Sequence, residues 1–241
     1  MDLNLNFVTI AFWIEHENCW SKLTTEHNVI IRTIIAKPKR NPDFIFGMDE
    51  IKVERLENFK SFLKAFKREK TVLELLGISE VNKRKGIYRV TFKEKYDNMI
   101  MSTLNNYLVF YMKDLVMDGV ERFIVVLPRD EADLLKKDLE RIGDIKYFKV
   151  KPAKLEELQI SPFDLTDRER EVIYNAINKG FYEIPRKIGL EDLAYSMGIT
   201  KPTMEEYLRK AENKVMKRMY KEVEEFTDLL WSYDKPRTDL S

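Results

Sequence analysis

Between residues 5 and 152 the spacing of apolar positions switches repeatedly between a period of two and a period near 3.6, and this predicts twelve alternating segments. Residues 7–14 alternate as a strand, 20–26 form a short helix, and 29–36 and 44–53 are strands either side of the turn KPKRNPD. Residues 56–67 put Phe59, Phe62, Leu63 and Phe66 on one helical face, and 72–79 close the set as a strand. After the polar turn VNKRKG the order recurs: strand 87–92, helix 97–106, strand 108–116, turn MDG, strand 121–127, helix 130–142, strand 145–150. Pro128 precedes a helix whose first turn holds Asp130, Glu131 and Asp133, the acidic start a helix dipole favours.

The two halves form a tandem β-α-β-β-α-β repeat. A shift of about 80 residues lays Val8, Ile10 and Phe12 over Tyr88, Val90 and Phe92, a match of pattern and not of identity. Each half has the order of a ferredoxin-like unit, in which two helices cover one sheet face. In topology alone the pair resembles ACT-type regulatory domains. The expected fold class is therefore α+β. Residues 1–152 are a tandem ferredoxin-like, ACT-like sensor or dimerisation domain, 153–164 a linker inside the aperiodic stretch KPAKLEELQISPFD that holds two prolines, and 165–235 an all-α helix-turn-helix domain with a long C-terminal helix.

The third segment carries the most specific signal. Thr166 followed by Glu169 forms a capping box for a helix that Gly180 ends. Leu190, Leu193, Ala194 and Met197 face inward from a short helix, Gly198 makes the turn, and Thr200 caps a second helix with Met204, Leu208 and Ala211 inside. The opening LTDRE, the pair Phe181-Tyr182 ahead of Ile184-Pro185-Arg186, LEDLA, GIT and LRKAE recur in order at fixed spacing. Over about 50 residues this segment closely resembles the DNA-binding domain of archaeal regulators related to the bacterio-opsin activator. The resemblance implies a sequence-specific transcription regulator acting on double-stranded DNA.

With the core positions assigned, Lys201, Thr203, Glu205, Glu206 and Arg209 are the candidate groove readers. Arg186, Lys187 and Lys210 suit phosphate contact. Apolar residues continue at spacings of three or four through Val215, Met219, Val223, Phe226 and Leu230, which predicts a helix reaching about Tyr233 and a homodimer built along it. No wing-like hairpin follows. A protein-interaction adaptor using the sheet or the long helix, with DNA binding secondary, is the alternative.

Composition adds less. A net charge of +1 neither favours nor excludes nucleic acid, since one basic face can hide in a balanced chain. One cysteine, Cys19, excludes an internal disulfide and, with no targeting segment or membrane span in view, points to the cytoplasm. A Lys- and Glu-rich 34% charged content with one glutamine, Gln159, suggests a heat-adapted source. Glu15, His16, Glu17, Cys19 and Trp20 follow the first strand, where an ACT-like regulator would line a small-molecule effector site. His27 lies at the far end of the short helix from His16, so no metal site is expected, and no cofactor. No nucleophile-base pair or phosphate loop is visible, so no enzymatic role is expected.

Overall fold

The computed structural model describes residues 6–16, 19–153 and 165–231, and the chain divides into two compact units on either side of residues 155 and 156. Most of the expected linker lies outside the described residues. In the first unit, β1 (Phe7–His16) is followed by a 3₁₀ turn (Trp20–Lys22), α1 (Leu23–His27), β2 (Val29–Lys39), β3 (Phe44–Val53), α2 (Leu56–Phe66) and β4 (Val72–Asn82). The second set is β5 (Ile87–Glu94), α3 (Ile100–Leu104), β6 (Tyr111–Met117), β7 (Val120–Pro128), α4 (Ala132–Ile142) and β8 (Gly143–Pro152). The expected strand beginning at residue 108 starts later, at Tyr111, and leaves Leu108 exposed. The expected helix over 97–106 contracts to a single turn and a half, and a 3₁₀ turn at Arg129–Glu131 replaces the start of the expected helix over 130–142.

The connection of the two halves differs from the expectation. Two repeats that each closed alone would hold β1 between β4 and β3, and β5 between β8 and β7. The eight strands instead form one antiparallel sheet in the order β4-β5-β3-β2-β6-β7-β1-β8, so that, relative to the expected arrangement, β1 and β5 stand in each other's slots. Two local facts account for this. The turn between β4 and β5 spans only residues 83–86, with Gly86 N–H donating to the Lys83 carbonyl, and so short a connection lays β5 directly beside β4. Val8, Ile10 and Phe12 also carry the same inward pattern as Tyr88, Val90 and Phe92, so each triplet fits the slot of the other.

Two cores result. Around α2, Phe59 stacks on Tyr88 at 4.1 Å between ring centroids, and Phe62 and Phe66 close against β2, β3 and β5. Around α3 and α4, Val8, Ile10, Phe12 and Ile14 of β1 meet Phe123, Val125, Leu135 and Leu139, with Phe12 stacked on Phe123 at 5.0 Å. The seam between the halves is thin. β2 and β6 share one ladder position, Ile31 opposite Val116, and next to it the β2 register shifts between Thr33 and Ile35. Asp114 of β6 closes the gap: its carboxylate accepts from Thr33 N–H at 3.0 Å and from the Thr33 hydroxyl at 2.8 Å. A side chain thus supplies the hydrogen bonds that the ladder lacks.

The second unit contains α5 (Asp167–Asn178), α6 (Leu190–Ser196) and α7 (Lys201–Trp231). Val172, Ala176, Phe181, Leu193, Ala194, Met204 and Leu208 form its core. Among the described residues, no helix is long and apolar enough to cross a membrane.

Gly47 of β3 lies opposite Phe92 of β5, and the Phe92 ring lies across it: a Cβ there would stand 2.6 Å from Phe92 Cζ. Gly47→Ala is expected to destabilise the first unit by about 1–3 kcal/mol in denaturant unfolding, as overpacking of a closed core does. Unchanged stability would show that Phe92 has room to turn aside.

Candidate nucleic-acid interface

The helix-turn-helix is assembled from local signals that each satisfy a backbone group. Thr166 caps α5 with its hydroxyl accepting from Glu169 N–H at 3.3 Å, while the Glu169 carboxylate accepts from Thr166 N–H at 2.8 Å. The same carboxylate receives Lys214 Nζ of α7 at 2.7 Å, and these donors hold it below the usual carboxylate range. One side chain therefore caps α5 and ties it to α7. Gly198 turns between α6 and α7 at φ +64, a conformation that suits glycine, and Thr200 caps α7 through Thr203 N–H. Ala194, 2% exposed, leaves room for the close crossing of α6 and α7.

With Met204, Leu208 and Ala211 buried, the 3.6-residue repeat of α7 sets Pro202, Glu206, Arg209 and Asn213 along the opposite, exposed line. Lys201, Thr203, Glu205 and Lys210 flank that line. Arg209 makes no ion pair with a described residue. Lys210 Nζ lies 2.6 Å from Glu206, which raises the lysine above its usual range, and Lys201 lies 3.7 Å from Glu191 of α6. The Thr203 hydroxyl sits 2.7 Å from that of Thr200. The cap thus occupies Thr203, and neighbouring charge occupies Lys201, Glu206 and Lys210. Arg209 is the polar side chain on the face best able to offer a planar, bidentate donor pair to a base edge. Asn213, one turn beyond it, was not among the expected readers; its signal in the sequence is the spacing of four from Arg209, and its amide has the donor and acceptor that adenine presents in reverse.

Arg186 and Lys187 lie before α6. Arg186 stacks on the Phe181 ring at 4.5 Å, and Lys187 pairs with Glu183 at 2.7 Å while its stem lies against Gly180. Both heads are at the surface of the loop, away from the helix face that holds Arg209 in sequence but within the same small unit.

The expected effector residues separate. Glu15 is exposed and pairs with Lys146 at 3.1 Å; Glu17 lies outside the described residues. His16, Cys19 and Trp20 turn inward, and Trp20 Nε1 donates to Glu94 at 2.8 Å. His27 instead stands beside the Phe62 ring. Sequence reasoning missed what these residues meet: Asp49, Glu94, Asp114 and Glu121, from four different strands, are all buried at the seam. No sequence spacing joins them. Burial raises Glu94 from 4.5 to about 8, partly offset by the Trp20 hydrogen bond, and raises Asp114 from 3.8 to about 6 against the Thr33 bonds. Burial, with Asp114 and Glu94 nearby, holds Asp49 well above its usual range, and burial beside Glu121 and Glu94 pushes the Cys19 thiol up.

The second unit is by its geometry a helix-turn-helix DNA-binding module. Residues 165–217 match the HTH DNA binding domain family. A Haloferax volcanii protein named as a transcriptional regulator is 41% identical over 59 residues, 24% of this chain and 10% of its own length. The dimethyl sulfoxide reductase transcriptional activator of Halobacterium salinarum is 36% identical over 63 residues, 26% of this chain and 28% of its own length. This chain therefore spans only a small part of either relative, and the segment it shares carries the helix-turn-helix of archaeal regulators of the bacterio-opsin activator type.

Glu94 gives a pH test of the seam. Below about pH 4.5 it is protonated folded or unfolded; between there and about 8 only the folded chain keeps the proton, so its contribution to stability falls as pH rises through that window. In chelator, the melting temperature is expected to fall from about pH 5 to pH 8, and Glu94→Gln to reduce the slope. Equal slopes would contradict the burial cost assigned to this carboxyl.

Proposed function

We propose that this protein is a sequence-specific DNA-binding transcription regulator whose second unit reads the major groove with the outer face of α7. The observation that carries the reading is that face: Arg209 stands exposed at its centre, behind a Gly198 turn and a Thr200 cap that fix its direction. The two haloarchaeal relatives, named as a transcriptional regulator and a transcriptional activator, support the same class. Lys201, Thr203, Glu205 and Glu206 join Arg209 as base-edge candidates, Asn213 extends them, and Arg186, Lys187 and Lys210 contact phosphates, which position the module without specifying sequence. Its place of work is the cytoplasm, where DNA is the partner, and the role is regulatory and not enzymatic.

Retardation of a duplex from the region upstream of its own gene tests this. Arg209→Ala is expected to weaken specific binding by about 1–3 kcal/mol, and the native affinity to fall with salt at a log-log slope near −0.9 per phosphate contacted. An Arg209→Ala chain with native affinity removes Arg209 as a reader, and salt-independent binding removes the interface.

The first unit is read as a pair of ferredoxin-like repeats with their first strands exchanged, serving as sensor or oligomerisation domain. On α7, Val215, Met216, Met219, Tyr220 and Val223 are exposed at spacings that form one apolar stripe, which supports a homodimer along this helix and paired half-sites about 34–36 Å apart. The side chains of Phe226 and Leu230 lie outside those described. Sedimentation at micromolar concentration is expected to give a dimer that Met219→Glu shifts toward monomer; a native monomer would sink the dimer.

A further inference from the structure

The exchange of strands forces the chain to cross the sheet twice, and the first crossing brings together three side chains that no sequence motif connects. β1 ends at His16; Cys19 follows at the start of the segment that packs into the other half's core. Glu121 comes from the first residues of β7, where the β1 ladder sets it opposite Ile14. His16 Nδ1, Cys19 Sγ and a Glu121 carboxylate oxygen lie within 4.8 Å of one another, and the three residues are 3%, 4% and 7% exposed. His16 Nδ1 and Glu121 Oε1 stand 3.6 Å apart, too far for a hydrogen bond, and neither has another hydrogen-bond partner among the described residues. Buried polar atoms are as a rule paired, so two unpaired ones aimed at one point beside a thiol call for a ligand between them.

We propose that His16, Cys19 and Glu121 bind a divalent d-block cation of the zinc class. An imidazole nitrogen, a thiolate and a carboxylate form a mixed donor set that suits such an ion and does not suit calcium or magnesium, which take oxygen ligands. Three protein ligands leave one position of a tetrahedron open. Cys19 and Glu121 also line a cavity of about 20 Å³ at the seam, enough for one water molecule to take the fourth position. Tetrahedral donors on metal bonds of about 2.0–2.3 Å stand roughly 3.3–3.7 Å apart, so His16 Nδ1 and Glu121 Oε1 already fit at 3.6 Å while the Cys19 sulfur closes by at most roughly 1 Å, and its thiol gives its proton to solvent as the sulfur–metal bond forms. Bound there, the ion clamps the end of β1, the crossover and β7, the three pieces of chain that the exchange brings to one place. This replaces the expectation, drawn from the distance between His16 and His27, that the chain holds no metal; the third ligand is Glu121, about a hundred residues downstream.

The test is titration of the untagged, chelator-stripped full chain with Co²⁺ alone, followed by absorbance. One ion per chain is expected, with a thiolate-to-cobalt charge-transfer band in the near ultraviolet, visible bands of four-coordinate intensity, and stoichiometric displacement by Zn²⁺. Cys19→Ala is expected to abolish the near-ultraviolet band, and His16→Ala and Glu121→Gln each to weaken binding by about tenfold to a hundredfold or more. Zn²⁺ should raise the melting temperature of the native chain and not that of Cys19→Ala. Circular dichroism checks that each variant folds; Glu121→Gln keeps the shape of the native side chain and serves where Cys19→Ala does not fold. A folded native chain that takes up no Co²⁺, a bound ion without the thiolate band, or a band undiminished by His16→Ala and Glu121→Gln overturns the proposal.

Discussion

A four-residue turn determines the architecture of the first unit. Because residues 83–86 return the chain at once, β5 pairs with β4 and takes the place between β4 and β3 that β1 would otherwise fill. β1 then has one equivalent slot left, between β7 and β8, and its alternation of Val8, Ile10, Phe12 and Ile14 fits there because the two repeats share an inward pattern. The exchange turns two small sheets into one. Neither half keeps a complete set of its own strands, so the unfolding of one half removes a strand from the other, and the unit is expected to be cooperative across its thin seam.

The chemistry at the seam follows from the same constraint. The β2–β6 ladder has a single register pair, and the bulge beside it leaves Thr33 to be satisfied by Asp114. The two crossings bring β1's end, β5's end and β7's start to the same region, and with them His16, Glu94 and Glu121. Four buried acids, against His16 and Arg122 as the buried basic residues of this unit among those described, is an expensive arrangement for stability alone. All four line one small cavity at the seam.

The local elements were legible in the sequence, and the long-range pairing was not. The face of α2, the capping box at Thr166, the turn at Gly198 and the inward trio Met204, Leu208 and Ala211 all depend on neighbours within a few residues, and spacing reveals these. The repeat shift that aligns Val8 with Tyr88 showed the equivalence of β1 and β5, but equivalent strands can occupy either slot, and periodicity is blind to which one each takes. For the same reason His16 and Cys19 were visible as a pair while Glu121 was not: strand pairing alone brings it near. On α7 the candidate readers are legible as positions off the buried face, whereas the ion pairs that occupy Lys201, Glu206 and Lys210, and so single out Arg209 as a candidate, needed side-chain geometry.

The regulatory reading joins a DNA-binding second unit to a first unit with an internal site at its seam. On this reading the α7 face selects base sequence and does more than adhere to phosphate. The most direct measurement is selection from a library of random-sequence duplexes at physiological salt, with the recovered DNA sequenced. The account predicts an enriched motif, and loss of preference at one of its base pairs for Arg209→Ala with the remainder kept. Recovery of duplexes with no enriched motif, from a folded chain that still binds DNA, would contradict it.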